Sequence, residues 1–264
     1  MTIRGDTLLY GVVGNPVKHS LSPVFQNRLF KLYGINAVYI PLEVDKSFAS
    51  KFLKNSGYFG FQGLNITLPY KEIALKVAKY SDEHARKIGA ANTLKFNSGE
   101  LYAYNTDWIG VLNALDGFCR PKKALVLGAG GAAKAAIYAL LNSGAEVFVW
   151  NRTKTKAKTL CAKMGCKAVS SVEEFIRSVD LILNATSASP DAELFDYSLL
   201  EKNVSVFDMS YRENRLLKSA RESGCNVKDG LDMLIYQGLE SFKIWTGIRA
   251  KYQEALDAIL ESGR

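Results

Sequence analysis

Short apolar runs alternate with amphipathic stretches along nearly the whole chain, and this alternation predicts strands followed by helices. Leu8 to Gly14 is the first apolar run, bounded by turn residues and predicted to be a strand. Ser22 ahead of Pro23 reads as a helix N-cap, with the helix running to Tyr33 and stopped by Gly34. Ala37 to Val44 and Gly63 to Thr67 read as strands, with a helix over Ser47 to Asn55 between them. Tyr70 to Lys79 and Asp82 to Ile88 have helical spacing. Asn92 to Phe96 and Leu101 to Asn105 flank Asn97-Ser98-Gly99, residues that tolerate positive φ, and predict a hairpin. Asp107 to Leu115 reads as a connecting helix. Further on, Leu181 to Ala185 and Val204 to Met209 are apolar strands. Leu231 to Gly247 and Ala250 to Leu260 are terminal helices, expected to pack back on the first domain. The pattern as a whole implies an α/β protein with largely parallel sheets. It divides into a first domain over 1–106, completed by 238–264, and a second over 107–237.

The second domain opens on KALVLGAGGAAKAAIYALLNSGAEVFVWNR, Lys123 to Arg152. Ala124 to Leu127 form a buried strand, and Gly128, Gly130 and Ala133 then fit the dinucleotide pattern G-x-G-x-x-G/A. The first glycine makes the tight turn, and the second lets the backbone approach a pyrophosphate. The third position must be small so that helix and strand can pack. The helix N-terminus then offers unpaired N–H groups and a positive partial charge to phosphates. An acidic residue after the second strand would bind a ribose hydroxyl. Asn151-Arg152 stands there instead, which favours a 2′-phosphate and therefore NADP over NAD.

Composition narrows the field. The 264 residues carry a formal net charge of +8. Arg152, Lys154, Lys156, Lys158, Lys163 and Lys167 follow one another without an intervening acid; a positive field suited to a phosphorylated cofactor is one reading, and a solvated helix face is the better one for Lys158, Lys163 and Lys167. Aromatic residues do not interleave with them as on a single-strand-binding surface, which argues against nucleic acid. No apolar run is long enough to cross a bilayer, and the first residues lack the pattern of a signal peptide. Cys119, Cys161, Cys166 and Cys225 form no C-x-x-C pair and no metal-like spacing with the two histidines. A cytoplasmic protein without a metal is expected.

The first domain contributes four polar clusters at element ends: Ser20-Leu21-Ser22, Asn65 to Lys71, Ala91-Asn92-Thr93, and Asn105-Thr106-Asp107. Ligands of open α/β sheets sit beyond the carboxyl ends of strands. Hydroxyls and amides there suit a polyhydroxylated ligand, and a lysine can bind a carboxylate or move a proton. Each cluster also has a purely structural explanation, as caps for Ser22 and Asp107 or as turn contacts for Asn65 and Asn92. Their occurrence together beside a dinucleotide site favours the ligand.

These blocks also carry a resemblance. GNPVKHSLSP, GLNITLPYKE, IGAANT and YNTDWIG, followed by LGAGGAAKA, NRTKTKA, LILNATS, VFDMSY and DGLDMLIYQG, resemble the shikimate dehydrogenase family in content and order over nearly the whole chain. The resemblance implies an N-terminal α/β substrate domain, a Rossmann-type NADP-binding domain, and reversible NADPH-dependent reduction of 3-dehydroshikimate to shikimate in aromatic amino-acid biosynthesis. It implies that Ser20 and Ser22 hold the substrate carboxylate, with Tyr211 nearby. It places Thr67, Asn92 and Asp107 at the ring hydroxyls, Asn65 and Thr106 in the same pocket, and Gln237 on the substrate. Lys71 matches the catalytic lysine, paired with Asp107. Gly128, Ala129, Gly130, Gly131 and Ala132 match the pyrophosphate loop, while Asn151, Arg152, Thr153 and Lys156 fall at the adenosine phosphate. Met209 and Gly230 match positions beside the nicotinamide.

Two positions depart from the family pattern. Lys156 stands where a second arginine is frequent, keeping the charge but losing the planar fork. After Asn184-Ala185-Thr186-Ser187 the run is Ala188-Ser189-Pro190 rather than a glycine-containing turn. The alternatives are a quinate/shikimate or aminoshikimate dehydrogenase, and, outside enzymes, an NADP-binding regulatory module. A monomer or a homodimer fits equally.

Overall fold

The computed structural model describes residues 3–263. It forms two compact units: one runs through Thr106 and resumes at Ile235, and the other is Asp107–Leu234. The first unit begins β1 (Leu8–Gly14), α1 (Ser22–Leu32), β2 (Ala37–Glu43), α2 (Ala49–Asn55) and β3 (Phe61–Ile66). It continues α3 (Lys71–Val77), β4 (Tyr80–Ser81), α4 (Glu83–Ile88), β5 (Thr93–Asn97) and β6 (Glu100–Tyr104). The six strands form one mixed sheet in the order β2-β1-β3-β5-β6-β4. β1 is parallel to both its neighbours, which is why its apolar run is continuous rather than alternating. β3 is the pivot, parallel to β1 and antiparallel to β5. The hairpin from β5 to β6 turns on Ser98 and Gly99, with φ of 51° and 79°, between the paired residues Asn97 and Glu100.

Two local expectations are corrected. Ser22 does not cap α1: the N-cap is Leu21, without a side-chain hydrogen bond, and Ser22 is the buried first residue of the helix. Its hydroxyl hydrogen-bonds the Tyr39 hydroxyl instead, while Ser20 Oγ accepts the Ser22 N–H at 3.3 Å. The helix expected over Tyr70 to Lys79 is shorter. Ala78 leaves helical geometry, and the Lys79 N–H donates to Leu101 O at 3.0 Å, which starts β4 beside β6.

The second unit comprises α5 (Asp107–Leu115), β7 (Lys123–Leu127), α6 (Gly131–Asn142), β8 (Glu146–Trp150), α7 (Lys154–Met164), β9 (Lys167–Ala168), β10 (Leu181–Asn184), β11 (Ser205–Asp208), α8 (Arg215–Glu222) and β12 (Asn226–Lys228). Its sheet, ordered β12-β11-β10-β7-β8-β9, is parallel throughout. Counted from β7, that is the 3-2-1-4-5-6 order of a dinucleotide-binding domain, with the order reversing between β7 and β10. The central strands are buried on both faces: Leu125, Val126, Ile182, Leu183 and Val206 have no exposed surface.

α9 (Leu231–Thr246) starts in the second unit and ends in the first, where α10 (Tyr252–Glu261) lies against α1. Phe242 and Trp245 of α9 pack against Phe30 and Tyr10 with tilted rings, centroids 5.4 and 5.2 Å apart. Trp245 Nε1 donates to Leu94 O at 2.9 Å. This ring lies so close to β3 that a Cβ at Gly63 would stand 2.3 Å from Trp245 Nε1. Gly63→Ala is therefore expected to destabilise the protein by about 1–3 kcal/mol, because overpacking pushes out a rigid indole that is also hydrogen-bonded. Urea unfolding checks this, and an unchanged midpoint would refute it.

Candidate active site

Gly128 ends β7. Its N–H donates to Trp150 O at 2.8 Å, its φ is +117°, and a Cβ there would lie 2.9 Å from Ala185 O. Only glycine combines that backbone angle with that approach. Gly130 differs: a Cβ on it would meet nothing within 4 Å, so the space before the start of α6 is open. No side chain caps α6, and Ala133 is fully buried where the helix meets the sheet. Gly131 and Ala132, half-buried, form the first turn, and Ala129 is half-buried before it. An open, glycine-lined helix N-terminus is a cradle that fits a pyrophosphate.

The pairing of Leu127 with Trp150 sets the end of β8 beside this turn. Asn151 Nδ2 donates to Thr153 O at 3.0 Å, folding the chain into α7, whose first turn carries no acid. Arg152, Thr153 and Lys156 are exposed there. The two halves expected of an NADP site thus lie at adjacent strand ends.

In the first unit, several of the expected substrate-side residues converge on one buried network. Asn92 Nδ2 donates to Thr106 Oγ1 at 2.8 Å and to Gln237 Oε1 at 3.0 Å, and Asn92 Oδ1 accepts the Thr106 N–H at 2.7 Å. Asn65 Nδ2 donates to Ser241 Oγ at 2.9 Å, and Asn65 Oδ1 accepts from the Tyr39 hydroxyl at 2.8 Å. Burial pushes the Tyr39 hydroxyl well above its ordinary range, partly opposed by its bond with Ser22, so it stays a donor. Ser241 Oγ also lies within hydrogen-bond distance of Thr93 Oγ1, at 2.7 Å, and Thr106 Oγ1, at 3.2 Å, so Ser22, Tyr39, Asn65, Ser241, Thr93, Thr106, Asn92 and Gln237 are joined through side chains that span α1, β2, β3, the strand ends and α9. Tyr39 and Ser241 are the members that sequence reasoning did not single out, whereas Thr93 stood in it only as part of the Ala91-Asn92-Thr93 cluster. Ser241 had one signal, its position four residues after Gln237 on the same helix face.

Thr67 and Lys71 follow β3. The Thr67 N–H donates to Val13 O at 2.9 Å, and Lys71 O accepts the Ala91 N–H at 2.9 Å, which ties the start of α3 to the Asn92 turn. Asp107 is 3% exposed and opens α5 in the second unit, directly after Thr106. Ser20 and Tyr211 are half-buried.

Met209 and Gly230 are packed together: Gly230 N–H donates to Ser210 O at 3.0 Å, and a Cβ on Gly230 would sit 2.1 Å from Met209 O. Just before them lies Asp208, 1% exposed, another residue that sequence reasoning left aside. Burial raises its carboxyl above the ordinary range, opposed by bonds from Asn184, the Ser210 N–H and Asn214.

Comparison with known proteins places this arrangement. Residues 12–94 match the shikimate dehydrogenase substrate binding domain, 113–203 match shikimate / quinate 5-dehydrogenase, and 230–260 match the shikimate 5'-dehydrogenase C-terminal domain. The chain is 47% identical over 259 residues to shikimate dehydrogenase (NADP(+)) of Aquifex aeolicus, covering 96% of each chain. A crystal structure of shikimate dehydrogenase from that organism superposes with a TM-score of 0.94 at 46% identity, over 98% of this chain and 99% of that one. Shikimate 5-dehydrogenase from Thermus thermophilus, solved in complex with NADP(H) and shikimate, superposes with a TM-score of 0.90 at 35% identity, over 97% of this chain and 100% of that one. The order of the motifs, the two sheets and the matched lengths agree, and the chain belongs to the shikimate dehydrogenase family.

Proposed function

We propose that this protein is an NADP-dependent shikimate dehydrogenase, interconverting 3-dehydroshikimate and shikimate in aromatic amino-acid biosynthesis. The observation that carries this reading is the buried network that gathers Asn65, Asn92, Thr106 and Gln237 at the strand ends of one unit. Such an array of amides and hydroxyls is built for a ring bearing several hydroxyl groups. The relatives support it by what they are named for.

Ser20 and Ser22 would hold the substrate carboxylate with Tyr211 nearby, and Thr67, Asn92 and Asp107 would bind the ring hydroxyls. Gly128 to Ala132 would hold the pyrophosphate of the cofactor, with Asn151, Arg152, Thr153 and Lys156 at its 2′-phosphate and Met209 and Gly230 at its nicotinamide. Bound NADPH supplies the hydride for the ring carbon. Lys71 gives a proton to the oxygen on that carbon during reduction and takes it back during oxidation, and Asp107 orients both groups. Holding both reactants in fixed positions supplies the proximity. We place the reaction in the cytoplasm, in a monomer or homodimer.

The test is direct. Purified protein given shikimate and NADP should produce NADPH, followed by its absorbance, and NAD should serve much less well. Turnover of quinate with NAD, and none of shikimate with NADP, would overturn the assignment.

A further inference from the structure

We infer that Asp208 is a positioning residue for the nicotinamide side of the cofactor site, holding together three backbone segments at the carboxyl ends of β10 and β11. The inference rests on the reading of the chain as an NADP-dependent shikimate dehydrogenase. Asp208 Oδ2 accepts from Asn184 Nδ2 at 2.7 Å and from Asn214 Nδ2 at 3.0 Å, and its Oδ1 accepts the Ser210 N–H at 2.8 Å.

Each of these donors fixes a different segment. Asn184 Oδ1 accepts both the N–H of Thr186, at 3.0 Å, and its hydroxyl, at 2.8 Å, so the asparagine turns the chain at the end of β10. Asn214 Oδ1 accepts the Leu217 N–H at 3.0 Å and caps α8. The Ser210 N–H holds the turn that carries Met209, against which Gly230 is packed. The Ala188-Ser189-Pro190 run, which departs from the family pattern, is fastened to the same place: the Arg215 N–H at the start of α8 donates to Pro190 O at 2.9 Å. One carboxylate therefore sets the relative positions of Thr186, Met209 and the Pro190 loop.

The donor pattern requires a carboxylate. An ionised aspartate accepts at both oxygens, and here three N–H donors point at them. An asparagine would either turn its own NH2 toward two other NH2 groups or turn it toward the Ser210 N–H. Burying a charge is an unfavourable way to fill a core. A charge compensated only by donors from three loops is instead a way to fix those loops.

The test compares Asp208→Asn with wild type, counting folded molecules by the amplitude of thermal unfolding. Per folded molecule, kcat for shikimate oxidation should fall about tenfold or more and KM for NADP should rise. The deuterium isotope effect, with shikimate labelled at the carbon that loses hydride, should grow as hydride transfer becomes limiting. Adding Asn184→Asp restores a donor facing an acceptor and should recover part of the loss. If Asp208→Asn does not fold, Asn184→Ala, which keeps the carboxylate but releases Thr186, should show the same changes. Unaltered kcat and KM per folded molecule in whichever variant folds would overturn the inference. Wild-type protein unable to oxidise shikimate with NADP would instead overturn the functional reading beneath it.

Discussion

Replacing Lys71 with methionine is expected to lower kcat for shikimate oxidation by about 100-fold or more, the span for removal of a positioned proton-transfer group, with KM for shikimate changed only a few-fold. Methionine keeps an unbranched apolar stem of similar length, so the packing around the start of α3 is largely preserved. The backbone there is also held independently of the side chain, because Lys71 O accepts the Ala91 N–H. What the substitution removes is the ammonium, and an interaction that matters only in the transition state appears in kcat. Lys71→Arg separates two ways the ammonium could act. A guanidinium keeps a positive donor beside the developing alkoxide but does not give up its proton in proteins. Activity near the methionine level in the arginine variant assigns Lys71 to proton transfer, whereas substantial recovery assigns it to electrostatic stabilisation. A loss confined to KM in Lys71→Met would remove Lys71 from the chemistry altogether.

The sequence revealed the long, strongly patterned elements because burial writes itself into composition. β1, β7 and β10 are flanked on both sides by other strands and read as unbroken apolar runs. α5 was legible end to end. The two- and three-residue strands β4, β9 and β12 were not, since pairing at a sheet edge needs only a few backbone groups and no particular side chain. Ser22 misled for a related reason. Serine before proline is chemically a good cap, but a polar side chain within reach of Tyr39 has a second use, and tertiary contacts decided between them. The site divides in the same way. The glycine turn was readable because its spacing along the chain dictates its geometry, with Gly128 at a φ of +117°, and Arg152 was readable as a basic residue just after β8. Asn65, Asn92 and Thr106 were readable as separate polar positions, and Gln237 only through the family resemblance. Their union through Tyr39 and Ser241, and the three-way hold of Asp208, depends on residues far apart in sequence and has no local signature.

Arg152→Ala is the second large effect expected, and it bears on which nicotinamide cofactor is used. KM for NADP should rise about 10- to 100-fold, which is what one hydrogen bond to a charged group is worth. KM for NAD should hardly move, because NAD lacks the phosphate, and KM for shikimate should stay the same. Two features keep the loss from being complete. Lys156 lies in the first turn of α7 and brings a positive charge, though without the planar fork that grips a phosphate at two points. The first turn of α7 has no acid to repel the anion, so the helix N-terminus still favours it. Arg152 is exposed, so its contribution should shrink as salt rises, and the wild-type preference for NADP should weaken with ionic strength more than the variant's does. Lys156→Ala should give a change in the same direction but smaller. Kinetics with both cofactors at two salt concentrations check all of this. An Arg152→Ala enzyme whose KM for NADP and NAD rise together would show that the residue supports the fold of the β8–α7 turn rather than reading the phosphate.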